Sequence, residues 1–416
     1  MRIAILQDDF PPHHDGGAGL IAYRIARGLV QRGHSVLVIT TVRARADAGE
    51  FEEEGLRIVC IFSAYPERFR AYIGLWNPFI ARAIARHLSV FAPDIVHAHS
   101  VSRYLSYYAL IIARRFSARV YTTEHDAMSI FSGKLPSETD PSAHGDSAPI
   151  RGPRSFTLQA KTFRLRFNPL RAFIVRHIFK IAVARSVVVS HALERALNAN
   201  GIQNTLVIQN GIDTHEWGRS PSTDEFIARH HIGARALLFG GRFSEPKGGL
   251  AVIAVFARIR GKIPDAQLLL IGRRNAFAER MHEYAKKLGV ADGLVWIGWA
   301  TGEELRSAYH AAAAVAVPSL YLDPFPTVNL EAYACHKPVI ATCFGGSHEI
   351  VEDGVTGYLV NPLNTEQFAD KAADLLLNTR VQHAFGEAGY ARVTKEFSLE
   401  QQVAQYEALY GAPQDR

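Results

Sequence analysis

Short apolar runs alternate with stretches of helical periodicity along almost the whole chain. Runs at 2–7, 35–40, 57–62, 94–98, 119–123, 185–190 and 205–209 read as buried strands, and a second series follows at 236–240, 267–271, 294–297, 314–317 and 338–341. Helical patterns lie between them, at about 20–32 in the first series and at 249–260, 276–288, 302–312 and 327–336 in the second. A strand that returns to a parallel neighbour through a helix crosses over right-handed, so this pattern admits few topologies. It predicts parallel sheets covered by helices on both faces. The 416 residues are too many for one such core and suit two. We therefore expect an α/β protein with two Rossmann-like, doubly wound parallel-sheet domains, 1–213 and 214–398, and a cleft between them. Asn210-Gly211-Ile212-Asp213 reads as a closing turn, the polar 219–224 as a linker, and 399–416 as a helical tail crossing back to the first domain. Such sheets bind ligands at the carboxyl ends of their strands.

Composition narrows the function. Net charge is +6, which allows an anionic partner. There is no recognised nucleic-acid motif and no long basic tail, so nucleic acid is not expected; a substrate diphosphate or an anionic membrane accounts for the excess as well. Cys60, Cys335 and Cys343 cannot all pair and lack metal-ligand spacing. They read as reduced, packed thiols of a cytoplasmic protein. No run of about 18 apolar residues crosses a membrane. The first apolar run turns polar at Gln7, Asp8 and Asp9, too early for a signal peptide.

Two segments of the second half carry chemistry. In DPFPTVNLE, Asp323 and Glu331 flank a predicted helix start. Thr327, Val328 and Asn329 would present free backbone N–H groups there, and the helix dipole suits a phosphate. Pro326 fits the first turn. Phosphate between two hydroxyl-binding carboxylates describes a nucleotide sugar. The loop Gly240-Gly241-Arg242-Phe243-Ser244-Glu245-Pro246-Lys247-Gly248-Gly249 follows a strand. Its glycines permit close approach, and Arg242 and Lys247 can both reach one diphosphate. They would act most as the leaving group gains charge.

Other features stay open. The Gly16–Gly19 loop lacks dinucleotide spacing, and no acid follows the second strand to hold a ribose. Its amides would face a phosphate instead. His97 and His99 lie on one face of a strand, as a metal pair or as structural or substrate contacts. His125 is a site residue or a buried histidine satisfied by backbone. His13-His14 and His230-His231 read as surface loops. The stretch 132–154 reads as a long loop. The stretch 155–180 mixes Phe156, Phe163, Phe167, Phe173 and Phe179 with six Lys and Arg residues, either as a connector packed on the sheet or as a cationic segment on an anionic membrane.

Together these features resemble glycosyltransferase family 4, the retaining group with the GT-B fold. Gly16 and Gly17 match its Gly-Gly loop, and Arg32, Gly33 and His34 the step before its second strand. Pro93 to His99 and Thr122 to Asp126 match two strand ends, and Ser190 and Asn210 to Asp213 match further landmarks. The Arg242–Lys247 loop and the double-acid segment complete the set. Gly345, Gly346 and Glu349 match another landmark with no evident duty.

The resemblance implies roles residue by residue. Arg242 and Lys247 would hold the diphosphate, Glu331 the ribose, and Asp323 the donor sugar. His125 would sit beside the reacting centre. Gly16, Gly17, Phe325, Thr327 and Val328 would complete the donor site. No metal and no cofactor are implied. The partners would be a UDP- or GDP-linked hexose and a glycan, lipid-linked or small-molecule acceptor, in polysaccharide or glycolipid assembly. Contact of 155–180 with the inner membrane face is a separate expectation, from the composition of that segment. Asp323 stands where the family commonly has Glu, a reach shorter by about 1.5 Å, and Pro326 where many members have Gly. A nucleotide-sugar epimerase or a non-catalytic nucleotide-sugar binder would use the same scaffold.

Overall fold

The computed structural model describes residues 1–14, 16–131, 168–218, 220 and 222–413. They divide into two compact units. One holds the described residues up to Asn210 together with the tail from Leu399, and the other runs Gly211–Ser398.

In the first unit the apolar runs form β1 (Arg2–Leu6), β2 (Ser35–Val42), β3 (Gly49–Glu53), β4 (Leu56–Phe62), β5 (Ile95–Ala98), β6 (Val120–Glu124), β7 (Arg185–Val188) and β8 (Thr205–Val207). They make one sheet, in the order β3-β4-β2-β1-β5-β6-β7-β8. All neighbours are parallel except the β3–β4 hairpin. The alternation of strands and helices did not predict that hairpin. β3 is an edge strand with Glu50, Glu52 and Glu53, and its charges discourage further pairing while hiding it from an apolar search. Helices Gly17–Gln31 and Leu399–Gly411 pack together and bury Ile25, Leu29, Tyr406 and Tyr410 with the sheet residues Ile3, Ile5 and Val38. Arg32 and His34 both bond the Glu407 carboxylate, at 2.8 and 3.0 Å. Crossovers of opposite direction place helices Pro78–Phe91, Tyr108–Arg114 and Arg171–Ala182 on the opposite face, packed successively on one another.

The second unit holds β9 (Ala236–Gly240), β10 (Gln267–Ile271), β11 (Leu294–Gly298), β12 (Ala314–Val317), β13 (Val339–Thr342) and β14 (Gly357–Val360). Their order is β11-β10-β9-β12-β13-β14, all parallel. The strand order therefore reverses between β9 and β12. The four residues of β14 are too few to show periodicity, and the sequence reading stopped short of it and of helices Thr365–Leu377 and Thr379–Glu396. The expected linker at 219–224 is instead held down where it is described: Ser220 and Ser222 bond the Ser307 hydroxyl at 2.8 and 3.0 Å, and a helix begins at Thr223.

All three cysteines are buried free thiols. Among the described residues no helix is long and apolar enough to cross a membrane. The expected loop at 132–154 and the segment 155–167 lie outside the described residues.

Candidate active site

Neighbouring strands β9 and β12 send their connections in opposite directions, which opens a crevice at their carboxyl ends. Two loops leave there. The β9 loop turns through Gly241 and Gly248, at φ 116° and 78°. Gly248 is also a close approach: a Cβ would stand 1.9 Å from the Pro318 carbonyl oxygen. Leu320 N–H donates to the Pro246 carbonyl at 2.7 Å, joining the two loops. This seam brings Lys247 Nζ to 2.7 Å from Asp323 Oδ2, and Ser319 Oγ donates to the same oxygen at 2.9 Å. The Asp323 side chain is 6% exposed and that of Lys247 24%. Two residues read separately from the sequence are thus one ion pair. Arg242 is exposed on the same loop.

Gly345 and Gly346 gain a duty here. Gly345 has φ 69°, and its Cβ would meet the Asp323 carbonyl oxygen at 2.4 Å; that of Gly346 would meet the Pro324 oxygen at 1.9 Å. Gly346 N–H donates to the Asp323 carbonyl at 2.8 Å. The turn is the seat on which the Asp323 loop rests.

The helix spans Thr327–Ala334, with Pro326 as the extended residue before it rather than in its first turn. Asn329 N–H donates to the Pro326 carbonyl at 3.1 Å, so it is not the free amide expected. Thr327 and Val328 occupy the first two positions, where amides have no intrahelical acceptor. Phe325 is buried and packs edge-on against Phe397, so only its backbone is offered to a ligand. Glu331 accepts from the Tyr309 hydroxyl at 2.5 Å.

In the first unit, Gly16 caps helix Gly17–Gln31. A Cβ on Gly16 or Gly17 would meet nothing within 4 Å, whereas one on Gly19 would stand 2.3 Å from the Asp9 carbonyl oxygen. Packing therefore requires glycine at 19 and not at 16 or 17. At the carboxyl ends of β5 and β6, three imidazoles stack: His97 on His99 at 4.6 Å and His99 on His125 at 5.4 Å between centroids. His97 is fully engaged by Tyr410 and, at 2.7 Å, by Thr123, which removes it from any metal pair. His125 Nε2 meets His99 Nδ1 at 3.1 Å, and its Nδ1 has no partner, so backbone does not satisfy it. Burial pushes the His125 imidazole down to about 4 and His97 to about 3. Beside them Glu124 is buried, and loss of solvation raises its carboxyl to about 8. His99, Glu124, His125 and Asp126 line a small pocket with Tyr107 and Phe179. His230 is not a loop residue: it ends helix Thr223–His230 and packs on Phe226 at 4.5 Å. No group of three or more His, Cys, Asp and Glu side chains suited to a metal occurs among the described residues.

A family model described as Glycosyltransferase Family 4 matches residues 15–216, and one described as Glycosyl transferases group 1 matches 223–392. The chain belongs to the family 4 glycosyltransferases. An uncharacterised glycosyltransferase of Methanocaldococcus jannaschii is 26% identical over 89% of this chain and 87% of its own. Sucrose-phosphate synthase from Thermosynechococcus elongatus shares the fold with a TM-score of 0.79, at 21% identity over 99% and 98% of the two chains. Anabaena HepE, solved in complex with UDP and glucose, gives 0.74 at 20% identity over 99% and 100%. The fold of this glycosyltransferase is GT-B.

Sequence reading missed three supporting residues of the glycosyltransferase. Ser319 and Tyr309 carry no motif; their roles depend on which loops meet. Asp8 is buried and accepts from the N–H groups of Arg103, Tyr104 and Leu105 at 2.7 to 2.9 Å, which fixes the loop after β5. Burial raises its carboxyl to about 6. Its signal was an acid at a strand end.

Proposed function

We propose that this glycosyltransferase moves a hexose from a UDP- or GDP-linked donor to an acceptor hydroxyl with retention of configuration and without a metal. The observation that carries the reading is the Lys247–Asp323 pair at the β9/β12 crevice, on a loop that leads into a helix starting at Thr327 and Val328. A cation, a helix start and a carboxylate suit a diphosphate and the sugar attached to it. Arg242 and Lys247 take the diphosphate and supply the positive charge a metal would otherwise bring. Glu331 takes the ribose, its second oxygen already oriented by Tyr309. Asp323 takes a sugar hydroxyl once Lys247 turns to phosphate. His125, lining the pocket at the ends of β5 and β6, stands beside the transferring sugar, and Gly16 and Gly17 offer backbone to phosphate. UDP and glucose are the ligands carried by the Anabaena protein.

The sugar C1–phosphate oxygen bond breaks and a C1–acceptor oxygen bond forms on the same face. The acceptor proton passes to the leaving phosphate oxygen, so no protein nucleophile is needed. Acceptors of polysaccharide or glycolipid assembly fit this chemistry.

A thermal-shift screen of nucleotide sugars should raise the melting temperature, since a donor at a hundredfold its Kd adds about 2.7 kcal/mol. Transfer of radiolabelled sugar should persist in EDTA. An absolute metal requirement, inverted product, or sugar conversion without acceptor overturns the reading.

A further inference from the structure

On one face of the first unit's sheet, helices Pro78–Phe91, Tyr108–Arg114 and Arg171–Ala182 lie side by side. They contain Arg82, Arg86, Arg114, Arg171, Arg176 and Lys180, and not one Asp or Glu. Buried residues of the last helix recur at Arg171, Val175, Ile178, Phe179 and Ala182, which turns Phe173, Arg176, Lys180 and Ile181 to solvent. On the first helix the exposed positions are Pro78, Phe79, Arg82, Arg86, Ser89 and Val90.

Large apolar side chains gather where these helices begin. Phe79 is 87% exposed, Phe173 63%, Leu170 62% and Trp76 59%. They are neighbours through their elements: Asn168 Nδ2 donates to the Ala71 carbonyl at 3.3 Å, and Trp76 meets Tyr108 edge-on at 6.5 Å. Scattered exposed hydrophobics are ordinary, but several bulky ones on adjoining elements of an acid-free face are not. Among the described residues, Glu67 and Asp126 border it near Arg70, and Glu50, bonded to Arg57, lies near Arg86 and His87.

We infer that this face docks on an anionic lipid bilayer. Its charge complements anionic headgroups and repels a basic partner. Trp76, with its amphipathic ring, and the bulky apolar side chains around it suit the headgroup boundary, and the arginines and Lys180 suit the lipid phosphates. The described residues 70–91 and 168–182 supply the surface. Tyr107, beside Tyr108, and Phe179, on the buried side of the third helix, line the His125 pocket beneath this face. A lipid-linked acceptor follows only if the glycosyl-transfer reading also holds; docking itself does not depend on it.

Co-sedimentation of the full chain with phosphatidylglycerol-containing and pure phosphatidylcholine vesicles tests this. The protein should pellet with the anionic vesicles, and binding should fall with added salt. The variant Trp76→Ser/Phe79→Ser/Phe173→Ser should lose roughly tenfold or more in partition, and so should Arg82→Glu/Arg86→Glu/Arg176→Glu. Both should keep wild-type melting temperatures and donor-induced shifts, because the altered side chains are exposed. Absence of anionic-vesicle binding, or undiminished wild-type binding by either variant, overturns the inference. So does a wild-type dimer in sedimentation that the first variant dissociates, which would make a second copy the occupant.

Discussion

Replacing Lys247 by alanine tests the ion pair and the phosphate assignment separately. Lys247→Ala removes the charge partner of a carboxylate that is 6% exposed and that also accepts from the Ser319 hydroxyl. Removing one member of a fully buried pair costs about 3–5 kcal/mol, and of a fully exposed pair about 0–1. Lys247, 24% exposed, lies between, so the loss should be about 1–3 kcal/mol. For a unit of this size that lowers the melting temperature by roughly 2–4 °C per kcal/mol. Adding Asp323→Asn removes the stranded charge while an amide can still bond Ser319. The double variant should recover most of the lost stability. It should recover no activity, because both variants lack the cation facing the diphosphate, and kcat/KM should fall at least ~10–100-fold in each. Calorimetry and radiolabel transfer give the two readouts. A double variant less stable than Lys247→Ala would refute the buried-charge argument. Near-wild-type transfer by Lys247→Ala would refute the phosphate role.

Glu124 gives a pH signature. Its carboxyl is raised from 4.5 to about 8 by burial, so between those values the folded state holds more protons than the unfolded one. Stability contributed by this group therefore falls as pH rises from about 4.5 to 8. Glu124→Gln should flatten that decline in denaturant titrations at pH 5, 6.5 and 8, and an unchanged slope would show the carboxylate is otherwise compensated. Gly17→Ala meets no protein atom within 4 Å and has no positive φ to strain, so its melting temperature should match wild type. If its backbone approaches a phosphate, kcat/KM should still drop several-fold; full activity would remove Gly17 from the donor site.

The sequence by itself determined the two doubly wound sheets, because continuous apolar runs and helical crossovers are local and chirality leaves few ways to join them. It determined the residue types of the site as well. Gly241 and Arg242 directly follow β9, Lys247 lies just before the next helix, and Asp323 lies in the loop before the helix that carries Glu331. It could not show that Lys247 and Asp323, far apart in the chain, share a hydrogen bond. That contact depends on β9 lying next to β12, and strand order is a long-range property that no local period encodes. The same limit hid Ser319 and Tyr309, and left Gly345-Gly346 a landmark until the Asp323 loop was seen resting on it. It also left Asn329 as a free amide and His97 as a candidate ligand, because whether a polar group is free depends on its neighbours. The acid-free face was written in the composition of three separate segments. Only the packing of their helices on one side of the sheet made it a surface, since a helix solvent face becomes a patch through its neighbours.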